Sequence, residues 1–325
     1  MFPVLLFCVM VKNISLRIVV LASYNLDVSR VTVNRAKGGR QEGKRRLQIH
    51  RYMQRKNIQT AIGIFGYGNM GRAIVTRIRT LSAFRAKEAL AIYSRDVGSV
   101  SGAHVALSAE ELFGVSRVVF LCIKPQDFYN LIPFKRSDTE HLTVISIMAG
   151  VCTENIRKIF PGARIVRTMP NLPVQIGEGV IGWYLKKTEF DAEEYALLEK
   201  LFSVFGMSIA LADEKMLDAL TAVAGSGPAY VFLFANALIQ SAESLGFDRE
   251  IAKRLVLQTM HGSLAYASTQ EDSDFSELIL KVQSKGGTTE AALQKLDVAH
   301  FYAEWKQAIA EANRRAKEIS SYESK

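Results

Sequence analysis

Residues 61–71 read Ala61-Ile62-Gly63-Ile64-Phe65-Gly66-Tyr67-Gly68-Asn69-Met70-Gly71, an apolar strand running straight into a glycine turn. Met70, Ile74, Ile78 and Leu81 then recur at helical spacing. Strand, G-x-G-x-x-G turn and amphipathic helix together are the context in which this spacing binds a dinucleotide. Gly66 permits the tight turn, Gly68 lets backbone N–H groups approach a pyrophosphate, and Gly71 lets helix and strand pack closely. The helix N-terminus adds partial positive charge. Read structurally, the same stretch is only a glycine turn.

Working outward, a second strand over Ala89–Tyr93 ends in Ser94-Arg95-Asp96. An acid at that strand end holds the ribose 2′-hydroxyl of NAD, whereas Ser94 and Arg95 suit a 2′-phosphate. NADP is therefore the expected cofactor, NADPH in the reduced form. Asp96, slightly late, leaves NADH possible. Three more apolar strands are expected at Val118–Ile123, Val144–Ile147 and Arg164–Arg167. Each runs into a small or proline-containing loop: Lys124-Pro125, Met148-Ala149-Gly150 and Met169-Pro170-Asn171-Leu172-Pro173. Ligands of open α/β sheets bind at such carboxyl ends. A late strand over Gly179–Trp183, a helix over Asp191–Phe205 and a short strand over Ser208–Ala212 complete the expected sheet. The fold class is α/β, an N-terminal Rossmann-like doubly wound sheet followed by an all-α C-terminal domain.

From Glu214 the pattern becomes helical. Pro228 stands at a helix start, Gly246 at a helix end, and Asp248 and Asp274 at cap positions. Phe301, Trp305, Ile309, Ala312, Ala316 and Ile319 mark one face of a final helix. In Ser284-Lys285-Gly286-Gly287-Thr288-Thr289-Glu290, glycines free the backbone and a threonine is placed to cap the next helix. Such a start either binds a carboxylate or is a capped helix without a ligand.

The chain has 325 residues, 49% of them hydrophobic and 22% charged, enough for two ordinary domains with cores and incompatible with wholesale disorder. Three cysteines without paired spacing argue against a disulfide scaffold or a cysteine zinc site, and no histidine pair has metal-ligand spacing, so no metal is expected. The formal charge of +9 suggests a nucleic-acid or membrane partner until it is located. Residues 1–52 hold ten Lys/Arg against two Asp/Glu, and the rest holds 31 against 30. The apolar run of residues 1–11 is too short to span a membrane and lacks preceding positive charge. Residues 1–57 are thus expected to be a basic, aperiodic extension, with Met53 as the expected true start; a transit peptide or a nucleic-acid-binding arm are the other readings. The dinucleotide-binding domain is expected over 58–213, and a helical substrate-binding and dimerisation domain over 214–325.

The succession IGIFGYGNMGRAI, FLCIKP, ISIMAGV, RTMPNLP, AVAGSGPAY and SKGGTTEAAL resembles the pyrroline-5-carboxylate reductase family from about Ala61 to Lys317. The glycine fingerprint is generic; GSGPAY with GGTT in a helical domain is specific. The resemblance implies NAD(P)H-dependent reduction of 1-pyrroline-5-carboxylate to L-proline, a small-molecule substrate, a cytoplasmic location, and a homodimer or larger homo-oligomer formed through the helical domain. It implies that Gly66, Tyr67, Gly68, Asn69, Met70, Gly71, Ser94 and Arg95 hold the cofactor, with Ile123, Lys124, Pro125, Ala149 and Gly150 on its nicotinamide side. Ser284, Gly286, Gly287, Thr288 and Thr289 would bind the substrate carboxylate, the Thr289 hydroxyl would lie near the ring nitrogen, and Glu214 would contact the substrate. A protonated imine is already electrophilic, so positioning and local charge suffice for catalysis.

Two departures stand out. Lys285 replaces the family's loop proline, which loosens the turn and adds charge. The stretch Leu278-Ile279-Leu280-Lys281 lacks the family's acid and, at Lys281, an asparagine that contacts the cofactor in some members. They leave open a related imine or hydroxy-acid reductase, or a weakly active nucleotide-binding regulatory paralogue.

Overall fold

The computed structural model describes residues 60–81, 89–95, 97–131, 133–134, 136–270 and 274–320. The extension over 1–57 with its expected start at Met53, the acid Asp96 and the last five residues lie outside the described residues. The first half is one eight-stranded sheet in the order β3-β2-β1-β4-β5-β6-β7-β8. Its strands are β1 (Thr60–Phe65), β2 (Leu90–Tyr93), β3 (His104–Val105), β4 (Ser116–Leu121), β5 (Thr143–Ser146), β6 (Arg164–Pro170), β7 (Gly179–Leu185) and β8 (Gly206–Ala210). All neighbours are parallel except β6 and β7. That connection, Asn171–Glu178, is too short for the crossover helix that a parallel pair requires.

Phe65 lies level with both Tyr93 of β2 and Leu121 of β4. The loops after β1, β2 and β4 therefore open together at one edge, where strand order reverses around β1. Alternation along the strands feeds two cores. Ile62, Ile64, Val118 and Phe120 face α1 (Asn69–Ile78) and α6 (Ala192–Ser203), with Trp183 and Phe202 fully packed there. Phe65, Val119, Leu121 and Val144 face α2 (Ala109–Val115), α3 (Pro125–Phe128) and α5 (Thr153–Ile159) on the other side. The short α4 (Arg136–Thr139) leads into β5. Burial of each large apolar side chain contributes about 1.5–3 kcal/mol.

Several expectations shift. β4 ends at Leu121, so Cys122 and Ile123 belong to the loop; the Cys122 N–H donates to the Phe65 carbonyl at 2.7 Å and folds the chain over the glycine turn. β6 runs on through Pro170, because β7 pairs with it as far as Ile181. The RTMPNLP segment is thus mostly strand, and Asn171 ties its end down: its side chain accepts the Val180 N–H and donates to the Ala224 carbonyl. β3 was not expected; two residues carry no legible alternation.

The second half comprises α7 (Met216–Leu220), a π-helical turn over Thr221–Gly225, α8 (Gly227–Ser244), α9 (Arg249–Ser268), α10 (Phe275–Val282), α11 (Thr288–Lys295) and α12 (Val298–Ser320). Pro228 sits in the first turn of α8. Gly246, at φ +97°, closes its end: the Phe247 N–H reaches the Ala242 carbonyl and the Gly246 N–H that of Glu243. Asp248 and Asp274 cap α9 and α10 as expected. The continuous run Met216–Ser244 is long and apolar enough to cross a membrane. Its first turns, however, pack on the sheet half, Leu220 against Gly182 and Ala224 bonded to Asn171, so the whole run is not free to do so. α12 returns to the sheet edge, where Ile319 fills the space beside Gly150 and the Ser320 hydroxyl donates to Asp218 at 2.9 Å.

Candidate active site

The glycine turn is built as its spacing predicts. Gly66 has φ +100°, and its N–H donates to the Tyr93 carbonyl at 2.8 Å. A Cβ on Gly66 would press on the Cys122 carbonyl, and one on Gly71 would overlap the Gly66 carbonyl oxygen. A Cβ on Gly68 would meet nothing within 4 Å. Gly68 is the N-cap of α1, makes no side-chain cap, and is followed by a first turn free of acids. The N–H groups of that turn consequently face open space with the helix dipole behind them. This cradle fits a pyrophosphate.

Arg95, 78% exposed, reaches across the crevice mouth to Asp127 on α3 at 3.2 Å. The β2 and β4 loops that carry Ser94-Arg95 and Ile123-Lys124-Pro125 are thereby joined. Lys124 is the N-cap of α3, and Pro125 fills its first turn. Arg72 on α1 stacks over the Tyr67 ring at 5.2 Å and donates to the Tyr67 carbonyl. Burial pushes the Cys122 thiol far above its ordinary range, so it stays protonated. Its place in this loop is structural, through its backbone.

After β5, Ile147 to Gly150 complete the edge. Gly150 has φ +75°, and its open face is filled by Ile319 of α12. The resemblance puts Gly150 beside the nicotinamide; its missing side chain also makes room for the last helix.

Glu214 is not a first-turn acid of its own helix α7, which begins at Met216. Its carboxylate crosses to α5, accepting the Thr153 N–H at 2.7 Å and the Thr153 hydroxyl at 2.8 Å. It also pairs with the Arg167 guanidinium at 2.8 Å. Arg167 is only 5% exposed and Glu214 22%, so each holds the other's buried charge. Thr153 and Glu214 line a cavity of about 530 Å³ with Arg157, Tyr184, Lys186 and Glu189. Arg167 was missed in the sequence, although an arginine inside an apolar strand is a signal that an acid must lie opposite.

The loop before α11 closes as a turn. The Gly287 N–H donates to the Ser284 carbonyl at 2.9 Å, and Gly286 at the third position has φ +73°. A glycine with positive φ there, and a second position suited to proline, mark a type II turn. Lys285 occupies that second position, so the turn forms without the family's proline. The expected threonine cap is corrected: Gly287 is the N-cap, Thr288 and Thr289 begin the helix, and no side chain caps it from that position. Glu290, also missed, reaches back to the Gly286 N–H at 2.6 Å. The structure thus brings the residues expected to hold the cofactor together at one sheet edge. Among the described residues, Ser284–Thr289 make no hydrogen bond or ion pair to that edge.

Relatives fit this arrangement. Residues 214–319 match the family model described as pyrroline-5-carboxylate reductase dimerisation, and residues 61–150 match NADP oxidoreductase coenzyme F420-dependent. The pyrroline-5-carboxylate reductase of Synechocystis is 32% identical over 269 residues, 79% of this chain and 97% of its own length. That of Arabidopsis thaliana is 31% identical over 265 residues, 80% of this chain and 95% of its own. A Plasmodium falciparum pyrroline carboxylate reductase solved with NADP bound superposes with a TM-score of 0.72 at 27% identity, covering 81% of this chain and 98% of that one. The Coxiella burnetii pyrroline-5-carboxylate reductase gives 0.67 at 29%, covering 81% and 100%. The chain belongs to the pyrroline-5-carboxylate reductase family.

Proposed function

We propose that this protein reduces the C=N bond of 1-pyrroline-5-carboxylate to give L-proline, with NADPH preferred as reductant. The observation that carries this reading is the match, at about a third identity, along nearly the whole length of enzymes of that name. Bound NADPH supplies the hydride. The open N-terminus of α1 holds the pyrophosphate, and Gly66, Tyr67, Gly68, Asn69, Met70 and Gly71 shape its cradle. Ser94 and Arg95 receive the 2′-phosphate, for which Arg95 exchanges its exposed contact with Asp127; that contact contributes little by itself. Ile123, Lys124, Pro125, Ala149 and Gly150 border the nicotinamide end.

The substrate carboxylate is taken by the Ser284–Thr289 loop through backbone N–H groups and the hydroxyls of Thr288 and Thr289. Thr289 then stands nearest the ring nitrogen. Glu214, neutralised by Arg167, orders the start of α5 beside the site, and its remaining exposure lets it favour the cationic imine. A partner subunit brings this loop to the cofactor edge, since the described residues of one chain leave the two apart. The dinucleotide-binding part is assigned to 58–213 and the substrate-binding and dimerisation part to 214–325, in a cytoplasmic homodimer or larger ring. The formed turn at Lys285 favours the proline-forming reaction over the alternative substrates that the departures raised.

The test is a steady-state assay on the purified chain. NADPH is expected to be consumed on addition of pyrroline-5-carboxylate, and L-proline to accumulate with it. Normal NADPH binding without turnover, or faster turnover of another cyclic imine or hydroxy acid, would overturn the assignment.

A further inference from the structure

The loop assigned to the substrate carboxylate already holds a carboxylate of the chain itself. Glu290 Oε2 accepts the Gly286 N–H at 2.6 Å, a short charge-assisted bond. The Gly287 N–H is engaged by the Ser284 carbonyl. Thr288, Thr289 and Glu290, in the uncapped first turn of α11, keep N–H groups pointing away from the helix. Among the described residues no lysine or arginine pairs with Glu290, so one backbone N–H is all that fixes its head group. Lys285, at the corner of the same turn, is likewise a cation without an acidic partner among the described residues.

We propose that Glu290 is a resident competitor for the substrate carboxylate. The substrate carboxylate is assigned to the N–H groups of this same loop, Gly286 among them, and like charges on one small loop exclude each other. Glu290 therefore sets how tightly the loop holds a monocarboxylate such as substrate or product, and it does so without touching the reacting atoms. It is a specificity-determining residue acting on binding. The inference rests on the pyrroline-5-carboxylate reading. A purely structural role is the alternative: an acid in the first turn of α11 favours the helix dipole and would leave the KM unchanged or raise it when lost.

The experiment uses the full chain and two variants, Glu290→Gln and Glu290→Ala. With NADPH saturating, KM for pyrroline-5-carboxylate is expected to fall about threefold to tenfold in both, with kcat changing by less than about twofold. Calorimetric titration of L-proline into the NADP-loaded protein reads the same affinity without turnover and should show tighter binding in both variants. An unchanged or raised KM in Glu290→Gln, with proline binding no tighter, overturns the proposal. Absence of turnover in the unmodified chain strikes at the reading beneath it, and the proline titration still decides the role of Glu290.

Discussion

At the scale of single residues, three glycines in one turn do separate jobs, and the structure tells them apart. Gly71 has no room for a methyl group because the Gly66 carbonyl occupies it, while the space beside Gly68 is open. Gly68 already has φ −77°, which alanine adopts without strain. Two substitutions should therefore dissociate. Gly71→Ala is expected to destabilise the fold by about 1–3 kcal/mol, measured by denaturant unfolding. Gly68→Ala is expected to leave the unfolding midpoint unchanged or slightly raised while weakening NADPH about tenfold or more in a fluorescence titration. Equal effects of both on stability would refute the division. The glycines were legible because their spacing follows from the strand-to-helix turn itself. Glu290 was not, because its partner is a backbone N–H whose direction depends on the φ of Gly286.

At the scale of elements, the joint between the halves is held by polar groups. The π-helical turn at Thr221–Gly225 loosens the backbone ladder, and side chains from elsewhere take up its carbonyls: Asn171 that of Ala224, Tyr230 that of Ala222. Beside it, Glu214 ties α5 to β6 through Thr153 and Arg167. Removing one partner leaves a largely buried charge alone. Arg167→Ala is expected to cost about 3 kcal/mol of unfolding free energy, and the double variant Arg167→Ala with Glu214→Gln to recover part of that loss. A double variant no more stable than Arg167→Ala would show that the two do not act as a pair. The segment 169–173, read in the sequence as a strand-end loop where ligands bind or as a plain turn, also contributes to this joint through Asn171. Proline suggested a turn, but β7 could be seen to pair with Met169 and Pro170 only once the hairpin had closed.

At the scale of the molecule, one surface is unfinished. Phe232 is 57% exposed on α8, and Leu280 is 66% exposed on α10. Val231, Leu233, Leu255, Phe275 and Val282 share this exposure, and neither α10 nor α11 buries a single residue. A surface this apolar on helices that match a dimerisation model needs a second copy to cover it. Phe232→Glu combined with Leu280→Glu is expected to shift the protein to smaller species in analytical ultracentrifugation. Reductase activity should fall with it, because the Ser284–Thr289 loop then loses the partner's cofactor edge. Full activity in a monomeric variant would refute that dependence.

Sequence alone determined the glycine turn, the run of parallel strands, the helical second half and the caps at Asp248 and Asp274. These depend on local periodicity and on residues with narrow backbone preferences, so neighbours in the chain suffice to fix them. Tertiary structure decided the antiparallel β6–β7 pair, the commitment of Glu214 to Arg167 and Thr153, the use of Gly150 as a seat for Ile319, and the hold of Glu290 on Gly286. The first waits on the closing of a hairpin, the second and third join groups far apart in the chain, and the fourth depends on a backbone angle. Residue identity restricts which partners are chemically possible, but only the folded chain brings one of them within bonding distance.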